Sequence, residues 1–439
     1  MSSEKSIPVV SKEVLLPFIL ITSLFALWGF ANDITNPMVS AFKKVLELTN
    51  VQASWVQMAF YGGYFTMALP AAIFAKKYSY KTGILIGLAL YAIGALLFYP
   101  AAAYGQFGFF LAALYILTFG LAFLETTANP FILSMGAEET ATQRLNLAQA
   151  FNPIGALAGL YAAQNFILGS LQSDDLDANG NSVYDTLSET AKASVRSADL
   201  MVIRNPYVIL GLAVIAVFIL IAVVKMPESQ ESNDGESVGS AISRIFQIPK
   251  FREGVIAQMF YVGAQIMCWT YIYQYAETLG IDNRSAVPYA MSALIIFLIG
   301  RWICTYLMRF INTGKLLMYM AFLAIAFTLG AIFIQGMTGL YSLVMVSFCM
   351  SLMFPTIYGI ALEGMGDDAK YGAAFLVMAI VGGAIMPTAQ GMILDIGGTG
   401  YTDTLIMGVP EVNFPFILPL ICFVVVALYG YRSYRVFNN

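Results

Sequence analysis

The chain contains no histidine, and only 11% of its 439 residues are charged. Soluble proteins carry about 25% charged residues, so a soluble chain of this length would hold about 110. This one holds 22 basic and 26 acidic residues, and 59% of the chain is hydrophobic. That composition excludes a soluble globular enzyme, a disordered chain and a nucleic-acid-binding protein. The missing histidine also excludes His-ligated metals, His-containing catalytic triads and His proton relays.

Cysteine is scarce as well. Its four copies lie inside apolar runs, without the short spacings of metal or redox motifs: Cys268, Cys304, Cys349 and Cys422. We therefore expect small buried hydrophobic side chains at these positions. The sequence also contains no phosphate-binding Walker pattern, metal-ligand cluster or nucleophile–base arrangement. Neither an enzymatic activity, a cofactor nor a metal site is predicted.

Long apolar runs dominate what is present. A membrane-spanning helix needs about 20 mostly apolar residues, and twelve runs of that kind are predicted. We call them spans 1 to 12; they cover 14–37, 53–75, 82–104, 107–135, 146–171, 204–225, 253–276, 286–308, 315–335, 338–362, 371–396 and 413–431. Because a bilayer requires every backbone polar group to be bonded internally, the sequence predicts an all-α membrane protein.

A linker-like polar stretch at 226–252 divides the chain into two six-span halves, 1–225 and 253–439. The halves share short patterns, such as KKYSYKTG after span 2 and MRFINTGK after span 8. If both termini lie in the cytoplasm, about two thirds of the Lys and Arg residues lie on the inner side, which the positive-inside rule favours. Two pseudo-symmetric halves predict a substrate site near the membrane midplane, between them.

Away from the ends of the spans, three charged residues remain: Asp33, Glu125 and Arg301. A charge at the membrane centre costs roughly 2.5–3.5 kcal/mol on insertion scales, so each requires a reason. Glu125 lies near the middle of span 4, four residues before Asn129. Because low-dielectric surroundings favour the neutral form of a carboxyl group, Glu125 is predicted to exchange a proton near neutral pH. The alternative is a structural salt bridge between Glu125 and Arg301.

Span 1 carries a polar strip. Trp28, Asn32 and Asn36 recur every four residues and share one helix face, with Asp33 beside them. Two interpretations remain open for this strip. It either faces a cavity or forms the capped outer end of the helix before Pro37.

Span 5 carries three amides, Asn146, Gln149 and Asn152, spaced three residues apart. Amides in lipid are expensive unless they meet polar partners. Because amides both donate and accept hydrogen bonds, they suit sugar hydroxyl groups. Hydrogen bonding between helices is the alternative.

Span 7 places Gln258, Tyr261, Gln265 and Trp269 on one face. Aromatic rings beside amides form a platform on which the C–H face of a pyranose stacks while an amide binds its hydroxyls. The neighbouring tyrosines at 271, 273 and 275 are better explained by an aromatic belt at the membrane interface.

Arg301 is expected to have a gating or structural role, either paired with an inner carboxylate such as Glu363 or extended to the membrane surface. The same class of role is predicted for Lys77, Arg144 and Arg309, which lie at the inner ends of spans.

Five motifs together carry a family resemblance: LETTANPF in span 4, RLNLAQAFNPIGA in span 5, YVGAQ…CW in span 7, KKYSYKTGI after span 2 and KYGAAFLVM in span 11. Over roughly residues 14–435 the chain resembles the L-fucose–proton symporters of the major facilitator superfamily. Members of that family carry fucose, and also galactose, glucose or N-acetylglucosamine.

The resemblance implies roles for individual residues. Glu125 matches the carboxylate implicated in proton coupling and sugar binding. Cavity positions are matched by Trp28, Gln149, Asn152, Tyr261 and Gln265. One position departs from the family, because Asn36 occupies the place of an aspartate in span 1, and Asp33 lies one turn earlier. Either Asp33 substitutes across the turn or Glu125 alone carries the proton.

The sequence thus predicts a proton-coupled monosaccharide symporter of the bacterial inner membrane, with L-fucose or a related hexose as substrate. Proton coupling is assigned to Glu125 and Asp33, and the substrate site to Trp28, Asn32, Asn36, Glu125, Asn129, Asn146, Gln149, Asn152, Tyr261, Gln265 and Trp269. Its partners are the sugar and the lipid bilayer, and a monomer is expected. The alternatives are a sodium-coupled or uncoupled hexose or N-acetylhexosamine carrier, and a membrane sugar sensor. A drug or lipid carrier is disfavoured, because it would line its cavity with Met and Phe.

Overall fold

A computed structural model describes residues 7–35, 38–48, 50–175, 183–227, 238–281, 283–394 and 405–437. Within these ranges the chain is almost entirely helical. The strands that the described residues form, Leu405–Ile406 and Val409–Pro410, pair in an antiparallel hairpin. Its turn has positive φ at Met407 and Gly408.

The N-terminal half contains spans 1 to 6. Span 1 is Leu15–Thr35, span 2 is Asn50–Lys77, span 3 is Tyr80–Leu96 continued by Phe98–Tyr104, span 4 is Phe107–Ser134, span 5 is Ala141–Gln149 followed by Asn152–Ala162, and span 6 is Glu189–Val223. A helix Met38–Val45 joins spans 1 and 2. Short 3-10 or π turns occupy Lys12–Val14, Glu138–Thr140, Ala163–Ile167, Leu168–Ser170, Gln172–Asp174 and Tyr184–Thr186.

The C-terminal half contains spans 7 to 12. They are Pro249–Thr278, Asn283–Leu307, Thr313–Phe333, the pair Met337–Met350 and Met353–Leu362, the pair Ala369–Met378 and Gly382–Leu394, and Ile417–Arg435. Short turns occupy Gly366–Asp368, Ala379–Val381 and Phe414–Phe416. Before span 7, the linker helix Val238–Gln247 is joined to this half by an Arg244–Asp368 ion pair of 2.8 Å. We call the inner end of the bundle the one that carries the turns at 78–79, 135–140, 308–312 and 363–368.

Eleven of the described helical segments are long and apolar enough to cross a membrane. Span 5 completes the predicted twelve, but it is interrupted at Ala150–Phe151. The interruption follows from Pro153, which has no N–H to donate to the carbonyl of Gln149 four residues earlier. Span 6 is longer than predicted, because the polar stretch after Ser188 is helical; Ser188 Oγ caps it by accepting from the N–H of Ala191.

Glycines set the closest contacts within each half. A Cβ on Gly155 of span 5 would lie 1.8 Å from the carbonyl oxygen of Ala26 in span 1. A Cβ on Gly382 of span 11 would lie 2.1 Å from the carbonyl oxygen of Met259 in span 7. Membrane helices associate through small residues that let backbones approach in this way. These contacts fix spans 1, 5, 7 and 11, which line the space between the halves. The four cysteines are free and buried, as predicted.

Candidate functional site

A cavity of about 170 Å³ lies between the two halves. Drug-sized ligands occupy pockets of about 300–1,000 Å³, so this cavity suits a smaller ligand. Most of the predicted site residues line it: Trp28, Asn32, Asp33, Glu125, Gln149, Asn152, Tyr261, Gln265, Trp269 and Arg301. Sequence reasoning missed the other lining residues: Phe25, Phe60, Tyr61, Tyr64, Pro153, Ala156, Val262, Ile266, Leu294, Phe297, Phe354 and Ile380. Asn36 lies outside the described residues.

Glu125 is the most enclosed carboxylate on the cavity wall. Its side chain is 3% exposed, and no described residue forms a hydrogen bond with its Oε2 atom. No ion pair joins it to Arg301 among the described residues, so the alternative of a structural salt bridge is not what the structure contains. A buried carboxylate without a cationic partner is stable only if it is protonated or bound to a ligand.

Asn129 and Gln149 form a short amide chain behind the cavity. The Nδ2 of Asn129 donates to the backbone carbonyl of Glu125 at 3.0 Å, and its Oδ1 accepts from Gln149 Nε2 at 2.8 Å. Asn129 does not line the cavity. It instead orients Gln149, whose Oε1 receives no hydrogen bond from the described residues. The Oε1 atom of Gln149 is therefore an acceptor held in place through Asn129 and the backbone of Glu125.

The other two amides of span 5 separate in function. Asn152 lines the cavity, and its Nδ2 donates to the carbonyl of Phe25 in span 1 at 3.2 Å. Asn146 lies below the cavity, where its Nδ2 donates to Thr142 O at 3.0 Å and to Thr356 Oγ1 in span 10 at 3.2 Å. Asn146 therefore joins the two halves, as the interhelical alternative predicts for this residue.

The aromatic rings are held by their polar atoms. Trp28 Nε1 donates to the Tyr64 hydroxyl at 2.8 Å, and its ring stacks on Phe25 with centroids 5.7 Å apart. Trp269 Nε1 donates to Ser347 Oγ at 3.1 Å, and the Tyr261 hydroxyl donates to Met350 O at 3.0 Å. With these groups satisfied by protein atoms, the rings present mainly apolar faces. Such faces suit the C–H surface of a pyranose, while amides bind its hydroxyls.

Arg301 is 3% exposed and is held by two backbone carbonyls rather than by a carboxylate. Its Nη1 donates to Gln149 O at 3.0 Å, and its Nε donates to Ser351 O. Each carbonyl lies four residues before a proline, Pro153 in span 5 and Pro355 in span 10. Proline has no N–H, so neither carbonyl has its normal helical donor. Arg301 supplies both donors, and the bond to Gln149 crosses between the halves.

The predicted pairing of Arg301 with Glu363 is not found, because Glu363 binds Lys250 at 2.9 Å at the inner surface. The other predicted gating residues lie away from the cavity. Arg144 is fully buried and donates to the carbonyls of Ile132 and Ala137, where it caps the inner end of span 4. Lys77 lies over its neighbour Tyr78. Arg309 is exposed.

Gln258 also lies away from the cavity. It is fully buried, and neither amide atom has a hydrogen-bond partner among the described residues. The other three residues of the predicted span 7 face, Tyr261, Gln265 and Trp269, lie nearer the outer end and line the cavity.

Below the cavity the inner ends of the halves are in contact. Gln143 Nε2 donates to Thr305 O in span 8 at 3.0 Å. A Cβ on Gly359 would lie 2.6 Å from Thr142 Oγ1, so spans 5 and 10 also meet closely. Together with the bonds of Asn146 and Arg301, these contacts close the inner path. The cavity is therefore sealed from the inner end in this conformation.

Comparisons with known proteins agree with this architecture. The model of the Major Facilitator Superfamily matches residues 19–389. The chain is 57% identical to the L-fucose-proton symporter of Haemophilus influenzae, over 98% of this chain and 99% of that protein. It is 32% identical to a glucose/galactose transporter of Brucella abortus, over 93% and 92% of the two chains.

A crystal structure of the Escherichia coli fucose:proton symporter superposes with a TM-score of 0.85. A crystal structure of a Major Facilitator Superfamily transporter in the outward conformation superposes with a TM-score of 0.86. That comparison covers 96% of this chain and 99% of the other, at 34% identity. The match agrees with the inner closure described above. The chain belongs to the Major Facilitator Superfamily and, within it, to the family of the L-fucose–proton symporters.

Proposed function

We propose that this protein carries L-fucose across the bacterial inner membrane together with a proton, by alternating access. The observation that carries the proposal is Glu125, a carboxylate without an ionic partner on the wall of a sugar-sized cavity between the halves. The 57% identity to an L-fucose-proton symporter supports the substrate and the coupling ion. Both termini are placed in the cytoplasm, and the protein acts as a monomer in this proposal.

The cycle starts from the conformation described here, with the inner side closed. Glu125 takes up a proton, which removes a charge whose burial is costly. The sugar then binds between the amides of Asn32, Gln149 and Asn152 in the N-terminal half and Gln265 in the C-terminal half. Its apolar face lies against Trp28 or Trp269. The sugar needs no charged group for this binding, because hydroxyls both donate to and accept from amides.

The loaded halves then separate at the inner end, and sugar and proton leave. Coupling requires the two access states to differ in their affinity for the sugar–proton pair. When the cavity is empty and Glu125 is ionised, the rearrangement is disfavoured. The carboxylate would be enclosed without a partner whether the cavity opened inward or outward. No cofactor takes part, and the coupling ion is the proton.

Asp33 is the second carboxylate of the cavity, and no described residue pairs with it in an ion pair. It is therefore the candidate to replace the aspartate that the family carries where this chain has Asn36. We assign Glu125 the proton that drives accumulation, and Asp33 a supporting charge near the sugar.

The test is uptake of radiolabelled L-fucose into vesicles with an imposed pH gradient. Wild-type vesicles accumulate sugar against its gradient, whereas Glu125→Gln vesicles only equilibrate it. Exchange of labelled for unlabelled sugar persists in Glu125→Gln, because a neutral amide resembles the protonated carboxyl group. Gradient-driven accumulation by Glu125→Gln would overturn the assignment, and accumulation driven by a sodium gradient alone would replace the coupling ion.

Glucose or galactose is the second candidate substrate, favoured by the 32% identity to a glucose/galactose transporter. Competition of each unlabelled sugar with labelled L-fucose separates the two. L-fucose is expected to compete at the lowest concentration, and stronger competition by galactose would reverse the assignment.

A further inference from the structure

A second layer of contacts joins the halves at the inner end, built from two lysines and two tyrosines. Lys76 and Tyr80 flank the turn between spans 2 and 3, whereas Lys370 and Tyr371 lie at the start of span 11. The Nζ of Lys76 lies 4.9 Å from the ring centroid of Tyr371, and the Nζ of Lys370 lies 5.0 Å from that of Tyr80. Each half thus supplies one cation and one ring, and each cation rests on the ring of the other half.

Neither lysine forms an ion pair with a carboxylate among the described residues, although Asp367, three residues before Lys370, lies close enough to act on it electrostatically. The ion pairs found near the inner end stay within the linker and the C-terminal half: Arg244–Asp368, Lys250–Glu363 and Arg432–Glu253. Lys370 is only 3% exposed, so its ammonium group has lost most of its water. A cation–π contact is strongest when it is desolvated. The aromatic faces are therefore the direct contacts that these two cations make across the halves.

Each ring is anchored in its own half. Tyr80 packs against Phe131 of span 4 with centroids 5.5 Å apart. The adjacent Lys81 donates to the carbonyls of Ala222 and Val224, at the inner end of span 6, at 3.0 and 2.8 Å. On the other side, Gly372 beside Tyr371 packs so closely that an added Cβ would lie 2.6 Å from Leu362 of span 10. When the inner ends move apart, both contacts must therefore break together.

We infer that Lys76, Tyr80, Lys370 and Tyr371 form a reciprocal cation–π latch that keeps the inner side closed while the cavity faces outward. The inference rests on the proposed alternating-access function. These are gating residues that touch neither sugar nor proton. The four latch residues carry no negative charge, so they hold the closed state without a salt bridge between the halves.

The latch is testable without any sugar. In a variant whose four native cysteines are alanine, Thr305→Cys places a thiol within the contact between spans 5 and 8, where Thr305 is 6% exposed. Its labelling by a membrane-impermeant maleimide from the inner side reports how often the inner end opens. Tyr80→Leu is expected to accelerate labelling about 30-fold, which corresponds to about 2 kcal/mol at about 1.4 kcal/mol per tenfold change.

Matched variants separate the latch from general loosening. Tyr80→Phe keeps a ring beneath Lys370 and is expected to change labelling less than about 3-fold. Lys370→Met removes only the charge and is expected to match Tyr80→Leu, and combining the two adds little. Tyr371→Leu acts through the partly exposed Lys76, so a gain of about 2- to 5-fold is expected.

Equal labelling of Tyr80→Leu and Tyr80→Phe would overturn the latch, whether both were fast or both slow. Additive effects of Tyr80→Leu and Lys370→Met would overturn it too, because the two residues would then act separately. Fucose uptake by the wild-type protein is measured in parallel. Absent uptake with the predicted labelling pattern refutes the proposed substrate and leaves the latch standing, whereas normal uptake with uniform labelling refutes the latch alone.

Discussion

Arg301 should control the balance between the two access states, because one of its hydrogen bonds crosses between the halves. Its Nη1 reaches the carbonyl of Gln149 in span 5, whereas its Nε reaches Ser351 within its own half. A hydrogen bond to a charged group contributes about 1.5–3 kcal/mol to stability. Only the inter-half bond is lost when the inner side opens, so Arg301→Met should shift the closed-to-open ratio about 10- to 150-fold toward open.

Spin labels on Tyr78→Cys and Phe310→Cys measure this shift. Both side chains are exposed at the inner end, one in each half. In the cysteine-free background, pulsed electron–electron double resonance gives the distribution of distances between the labels. The Arg301→Met variant should populate a longer distance in the absence of sugar.

Arg301→Lys is the informative control. It keeps the cation but loses the rigid fork of the guanidinium group, so it cannot hold both carbonyls in the same geometry. We expect an intermediate shift for this variant. If Arg301→Met left the distance distribution of the wild type unchanged, the reasoning that the inter-half bond stabilises the closed state would be refuted. A shift as large in Arg301→Lys as in Arg301→Met would show that geometry, rather than charge, determines the effect.

Two further outcomes follow from the cavity and its scaffold. Gln149→Leu removes an acceptor from the cavity and should weaken L-fucose binding in calorimetry about 2- to 12-fold, the contribution of one neutral hydrogen bond. Asn129→Leu only frees the Gln149 side chain and should weaken binding less. A larger effect for Asn129→Leu would contradict the assignment of Gln149 as the residue that contacts the sugar. Gly155→Ala should lower the free energy of unfolding in detergent by about 1–3 kcal/mol, because its Cβ would meet the Ala26 carbonyl. Gly108→Ala should leave the free energy of unfolding unchanged, because Gly108 has open space around it.

The spans could be predicted because lipid imposes one simple rule on length and apolarity. The interruption of span 5 could also have been predicted, since Pro153 stands in the run. Hydropathy predicts a continuous span there because the missing hydrogen bond of a proline does not change the apolar character of the run. The partners of Arg301 were missed for the same reason. Pro153 and Pro355 each leave the carbonyl four residues earlier without a helical donor. Taken together, the two prolines point to Gln149 and Ser351 as neutral acceptors for a donor such as Arg301.

The cavity residues were predicted by face, and the errors follow from helix geometry. A repeat of three residues falls about 60° short of a full turn at each step. Asn146 and Asn152 therefore point in clearly different directions, and the break between them adds to the difference. Gln258 shares a face with Gln265 but lies two turns closer to the inner end. The apolar lining residues, such as Leu294 and Val262, carry no signal that separates them from lipid-facing residues.

The charges within the spans have a common logic. A cation within reach of Glu125 would favour its ionised form and prevent it from loading a proton. The cavity wall also carries the cation Arg301, yet two of its N–H groups donate to carbonyls that Pro153 and Pro355 leave without helical donors. The prolines thus give the arginine neutral partners. In the proposed cycle this leaves the carboxylate to the proton, in a chain that has no histidine to carry one.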